Sequence, residues 1–219
     1  MTLKTTKAHL RKKSDIHWER KLWHIFGVLA MVTAFVTLPY ATSMGILAMV
    51  CAVFIPVDLL RQSYPRFNEL VIQIFRPLLR EHEARGLAGT TWLLTGVLLI
   101  ALIFPMEIVT LTLLFLALAD PIASYVGIRF GRDKLLGNKS LQGFMAAFVV
   151  CTCLSVAYFF HNNLMMDRIY LVAPLAGLMG ALSELLPIGK LDDNLSLPVL
   201  SASSLWLIFY LFGGISLYG

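Results

Sequence analysis

Five acidic side chains of this 219-residue sequence stand in or beside long apolar runs, where an ionised carboxylate is costly and needs a partner. Asp120 falls late in one run, in LALADPIASYVG, directly before the helix-breaking Pro121. Glu184 closes another run, Asp192-Asp193-Asn194 follow in the short turn after it, and Asp58 ends an earlier run. Oxygen ligands gathered at one level suit a hard cation such as Mg²⁺, which takes one or two carboxylates together with substrate phosphates. Acids at helix ends, paired with snorkelling Arg or Lys, are the plainer alternative, above all for Asp58.

A basic, glycine-rich segment supplies the complement. In GIRFGRDKLLGNKSLQG, Gly127, Gly131, Gly137 and Gly143 allow a backbone to approach a ligand and expose its N–H groups. Arg129, Arg132, Lys134 and Lys139 add charge. Lys139-Ser140 stands where the next helix begins, and a helix N-terminus favours phosphate. GNKS is not a P-loop: Asn138 interrupts the required Gly-Lys pair, and the segment joins two membrane helices. A second basic group, Arg20, Lys21 and His24, enters the first apolar run beside Trp23, a plausible interfacial belt residue.

The elements that position these groups are membrane helices. Seven runs are apolar enough to cross a hydrocarbon core of about 30 Å: Leu22–Leu38, Ser43–Leu60, Thr90–Phe104, Ile108–Val126, Gln142–Phe160, Ile169–Leu186 and Leu197–Leu217. The fold class expected is all-α, a polytopic membrane protein with a single membrane-embedded catalytic domain over 1–219. Seventeen of the eighteen Lys and Arg residues fall on one side of this layout, so the N-terminus, with its basic segment 1–21, is expected in the cytoplasm and the C-terminus outside. The membrane is then an inner or plasma membrane in a bacterium, or an ER-type membrane in a eukaryote. Segment 64–85 spaces Phe67, Leu70, Val71, Ile74 and Phe75 on one helical stripe and reads as an interfacial helix ended or kinked at Pro77. Segment 127–141 reads as a cytoplasmic loop that binds nucleotide.

Composition excludes a soluble domain: 58% of residues are hydrophobic and mean hydropathy is +0.76. The net charge of +5 is explained by anionic headgroups, so nucleic acid is not an expected partner. Cys51, Cys151 and Cys153 lie inside apolar runs and read as small filler, neither disulfide nor metal pair.

Acids for a divalent cation and bases for a polyphosphate on the nucleotide-containing side fit phosphoryl transfer, which needs positioning, charge neutralisation and a group to orient the attacking hydroxyl. The apolar chain offers a place for a lipid alcohol. An anion transporter or lipid-binding protein would use many of the same groups.

Four blocks make the chain resemble the membrane-bound CTP-dependent lipid kinases, which include dolichol kinase, phytol kinase and the CTP-type diacylglycerol kinase. They are RKLWHIFG (Arg20–Gly27), the R-x-x-E stretch opening REHEARGLAGTTWLLTG (Arg80–Gly96), ADPIASYVGIRFGRDKLLGNKSLQG (Ala119–Gly143), and ELLPIGKLDDNLSLPVLSA (Glu184–Ala202). The third is similar to a nucleotide-binding pattern D-x-x-A-x-x-x-G-x-x-x-G followed by K-S-x-x-G. The sequence departs from the family at Ala119, commonly Gly, at Pro121, commonly Ala, and at His17, often Glu. The resemblance implies transfer from CTP, or another NTP, to a polyprenol, a phytol-like alcohol or diacylglycerol. It implies Asp120, Asp193 and Asn194 as catalytic groups and Asp120, Glu184 and Asp193 as Mg²⁺ ligands. Arg20, Lys21, His24, Gly127, Arg129, Gly131, Lys139, Ser140 and Gly143 would bind nucleotide. A cytidylyltransferase acting on phosphatidate is the rival reading, and the oligomeric state is open.

Overall fold

The computed structural model describes residues 18–189 and 191–213. The basic stretch 1–17 with His17, Lys190 and the last residues of the seventh apolar run lie outside the described residues. Eight helices follow among them: α1 (Trp18–Thr37), α2 (Tyr40–Ser63), α3 (Pro65–Ile74), α4 (Gly89–Ile103), α5 (Met106–Phe130), α6 (Leu141–His161), α7 (Ile169–Leu185) and α8 (Asp193–Phe212). Helix is what lipid demands, because only it satisfies each backbone group within its own segment. Seven of the eight coincide with the seven apolar runs. Five helices are long and apolar enough to cross a membrane: α2, α5, α6, α8 and α7 together with its preceding turn from Met166. α4 has only 15 residues, and α1 carries Glu19, Arg20 and Lys21 in its first turn.

Three boundaries differ from the sequence reading. α8 starts at Asp193, not Leu197, because the Asp192 carboxylate accepts from the Asn194 N–H at 3.0 Å and caps the helix a turn earlier. It stops at Gly213, whose φ of 71° suits a left-handed cap. Segment 64–85 is not one helix: α3 ends at Ile74, before the Arg76-Pro77 step that disfavours helical backbone, and a short 3-10 turn follows at His82–Ala84. Its stripe faces outward, with Leu70, Ile74 and Phe75 exposed, while Asn68 and Ile72 are buried. The supposed loop 127–141 is largely ordered: α5 runs on to Phe130, and a small hairpin, β1 (Lys134–Leu136) with β2 (Lys139–Ser140), turns through Gly137 at φ 57°.

The Arg80–Ala88 segment is held by a buried polar network. Asp58 accepts from Arg61 Nε at 2.5 Å, from the Ala88 N–H at 2.9 Å and from Thr91 Oγ1 at 2.6 Å. Arg61 also donates to Asn68 Oδ1 and to the carbonyls of Glu83 and Gly86, and Asn68 Nδ2 donates to the Ala84 carbonyl. Asp58 is therefore a structural acid, as its plainer reading has it. Asn68→Ala strands Arg61 Nη1 and the Ala84 carbonyl, and the expected cost is about 1–3 kcal/mol. It is read as a lower melting temperature in detergent; an unchanged one would mean the network does not hold this segment.

Candidate active site

Within α5, Phe115–Ala119 forms a π turn: the Asp120 N–H bonds the Phe115 carbonyl. The donor that would otherwise serve Leu116 is thereby used, and the residue after it, Pro121, has no N–H. The orphaned Leu116 carbonyl accepts instead from His24 Nε2 at 2.9 Å. This bond brings His24 to 4.0 Å from the Asp120 carboxylate. One turn earlier on α1, Lys21 Nζ donates to the Pro121 carbonyl at 3.0 Å and to Ser124 Oγ at 3.3 Å. The proline beside Asp120 thus shapes the chain around the acid and docks α1 onto it.

Lys139 reaches the acids rather than an open loop. Its Nζ lies 3.0 Å from Glu184 Oε1 and 3.8 Å from Asp193 Oδ2, and it also donates to the Glu184 carbonyl. Burial opposes its charge, but the fields of Glu184, Asp193 and Asp120 prevail and hold its pKa above the ordinary lysine value. Among the described residues no group of three or more His, Cys, Asp or Glu side chains gathers closely enough to hold a metal ion. An ammonium stands between Glu184 and Asp193 instead.

A third set converges on Gly89. Arg20 forms a two-pronged pair with Glu83, at 2.7 and 2.8 Å, and donates to the Leu78 carbonyl. Glu83 also accepts from the Arg80 and Gly89 N–H groups. Asn194 Nδ2 donates to the Gly89 carbonyl at 3.2 Å. A Cβ on residue 89 would overlap Arg20 and crowd Asn194 and Glu83, so any larger residue there would displace these side chains. Burial alone would raise the Glu83 pKa, but Arg20 and Arg80 hold it below the usual carboxylate range. Burial, and the charge of Arg20, lower that of Arg80. Arg80 Nε is buried with no hydrogen-bond partner.

Three glycines of the glycine-rich segment, Gly127, Gly131 and Gly143, stand in tight contacts. Gly127 lies in α5 and Gly143 in the first turn of α6, and a Cβ on either would press the opposite helix or Ser140. Gly131 has no room for one against the Gly127 carbonyl and Ser140. Ser140 is 2% exposed, and its Oγ accepts from the Gly143 N–H. Within the K-S-x-x-G block Ser140 thus caps α6, and the Gly143 N–H is bonded to its hydroxyl. Arg129 is exposed and lines a separate, open depression with Arg132 and Gln142.

Residues more than a hundred positions apart thus meet at one end of the bundle: Arg20, Lys21 and His24, Asp120, Lys139, Glu184, and Asp193-Asn194. Arg80 and Glu83 join them although the sequence reading gave neither a role in the site. Their signal was the R-x-x-E spacing.

No family profile and no solved structure matches the chain. Curated proteins do. The chain is 33% identical over 168 residues to the CTP-dependent diacylglycerol kinase 1 of Schizosaccharomyces pombe, covering 71% of this chain and 77% of that protein. It is 32% identical to the protein of the same name from Eremothecium gossypii, over 67% of this chain and 52% of that one. It is 28% identical to that of Saccharomyces cerevisiae, over 67% and 57%. The chain thus spans little more than half the length of the last two.

Proposed function

Because the chain belongs to the family of membrane CTP-dependent lipid kinases, we propose that it transfers the γ-phosphoryl group of CTP to the hydroxyl of diacylglycerol or a closely similar lipid alcohol. What supports this most is the meeting of Asp120 with side chains from two distant segments, Lys21 and His24 on α1 and Lys139 in the hairpin before α6. Transfer of a γ-phosphoryl group needs a carboxylate beside the attacking hydroxyl and positive charge around the phosphates. This end of the bundle offers both.

In this reading Asp120 orients the lipid hydroxyl and receives its proton as the oxygen forms a bond to the γ-phosphorus. The bond from that phosphorus to the β–γ bridging oxygen breaks, and CDP leaves. Arg80, with its unpartnered buried Nε, faces the phosphates together with Arg20 and Lys139. Glu83 fixes Arg20 as a rigid fork. Glu184 and Asp193 are the residues that would hold Mg²⁺. The fit is that of a cation place already filled by the Lys139 ammonium, between two carboxylates of the kind that share Mg²⁺ with substrate phosphates. Mg²⁺, when bound, neutralises phosphate charge and aligns the polyphosphate. Asn194 ties the start of α8 to Gly89, beside the Arg20–Glu83 pair.

All seven apolar helices cross the membrane in this reading, and the reactive end is cytoplasmic, where CTP is. Single cysteines at Asn138 and Asn162, in an otherwise cysteine-free chain, are expected to react with a membrane-impermeant thiol reagent from opposite sides. Labelling of both from one side would remove the seven-span arrangement.

A further inference from the structure

Between α1, α2 and α4 lies an open groove with a cavity volume of ≈ 120 Å³. Arg20, His24 and Asn194 line one end of it, and Met31, Val50 and Leu94 line its apolar part. Its origin is the way the helices lean: α1 packs mainly on α5, and α2 on α4, leaving slighter contact between α1 and α2. Gly27 borders the gap, and a Cβ added there would meet no atom within 4 Å. Unlike the glycines between α5 and α6, this one admits no neighbouring helix. It widens an open channel.

From Arg20 to Met31 the groove follows α1 for eleven residues, about 16 Å along the axis. That is close to half of a hydrocarbon core of about 30 Å. A polar head at one level and an apolar wall one leaflet deep match a lipid alcohol with an acyl tail. A soluble ligand would not use the wall. The polar end lies beside the reacting carboxylate, since His24 belongs to the groove and stands 4.0 Å from Asp120.

We propose that this groove seats an acyl chain of the diacylglycerol acceptor, entering sideways from the bilayer, with its hydroxyl at the Arg20, His24 and Asn194 end. The proposal rests on the kinase reading for the identity of the alcohol. It assigns Gly27 as the residue that keeps the channel open, with Met31, Val50 and Leu94 as its wall.

The test uses the full chain in membranes with a diacylglycerol that carries a photoreactive group in its acyl chain. Cross-links mapped by mass spectrometry are expected at Met31, Val50 or Leu94, and excess plain diacylglycerol should compete them away. Gly27→Leu should remove most of this labelling and raise the KM for long-chain diacylglycerol by roughly 10-fold or more, the scale on which a filled apolar pocket discriminates. Its kcat/KM for CTP at saturating lipid should change little. Gly45→Leu is the control: it is on α2, equally open, and outside the groove. Labelling spread over outward residues such as Met49 and Val53, or equal effects of the two substitutions, would overturn the groove. Competed labelling by a wild-type chain that moves no phosphate from CTP to diacylglycerol would overturn the kinase reading and leave the groove standing.

Discussion

Asp120→Asn is expected to lower turnover with CTP and diacylglycerol at least ~100-fold, a few kcal/mol at the transition state. The substitution keeps the shape of the side chain and its hydrogen bonding, but it removes the proton acceptor and a negative charge. Its surroundings say why the charge is there. His24 lies 4.0 Å away, and Lys21 and Lys139 act on it from two other segments. The local fold should survive, because the π turn and the His24 bond depend on the backbone of Phe115, Leu116 and Asp120, not on the carboxylate. Expression and melting temperature in detergent should therefore stay near those of the wild type. Near-normal turnover would make Asp120 a paired structural acid.

Lys139→Gln is expected to reduce kcat/KM for CTP by roughly 100-fold, the scale of losing one fixed electrostatic partner of the transition state. The KM for lipid should change little. Lys139 is half-buried between Glu184 and Asp193, so its loss leaves two carboxylates facing each other and some destabilisation is expected as well. Two comparisons separate the roles. Lys139→Arg restores charge and should recover folding fully but turnover only in part, because a planar fork does not fit a place made for a compact ammonium. Lys134→Gln lies in the same hairpin, where Lys134 is exposed and donates only to the Asn138 carbonyl, and it should be nearly silent. Small, equal effects from Lys139→Gln and Lys134→Gln would reduce the hairpin to a topology signal.

The helices were legible because lipid imposes one pattern, a long apolar run. Each of the seven runs became a helix displaced by only a few residues. The displacements come from capping chemistry that hydropathy does not register, as at Asp192. The amphipathic stripe from Phe67 to Phe75 was legible too, and so was the break at Pro77; the Arg76-Pro77 step moves the helix end back to Ile74. The residues of the site were legible by type, since carboxylates and glycines in a membrane protein each need a reason. Their partners were not. Whether Lys139 meets a phosphate or Glu184, and whether Gly127 and Gly143 face a ligand or each other, depends on how α5, α6 and α7 pack, and local periodicity carries no record of it. The Arg20–Glu83 pair joins positions 63 residues apart. Only the R-x-x-E spacing hinted at it.

The central claim is the transfer of the γ-phosphoryl group, and the fate of the CTP label tests it most directly. Purified protein in detergent with diacylglycerol and Mg²⁺, given CTP labelled at the γ-phosphorus, should produce labelled phosphatidate and an equal amount of CDP. CTP labelled at the α-phosphorus should leave its label in CDP and none in lipid. Release of pyrophosphate, with the α-label passing into lipid when phosphatidate is supplied, would contradict this account and make the enzyme a cytidylyltransferase.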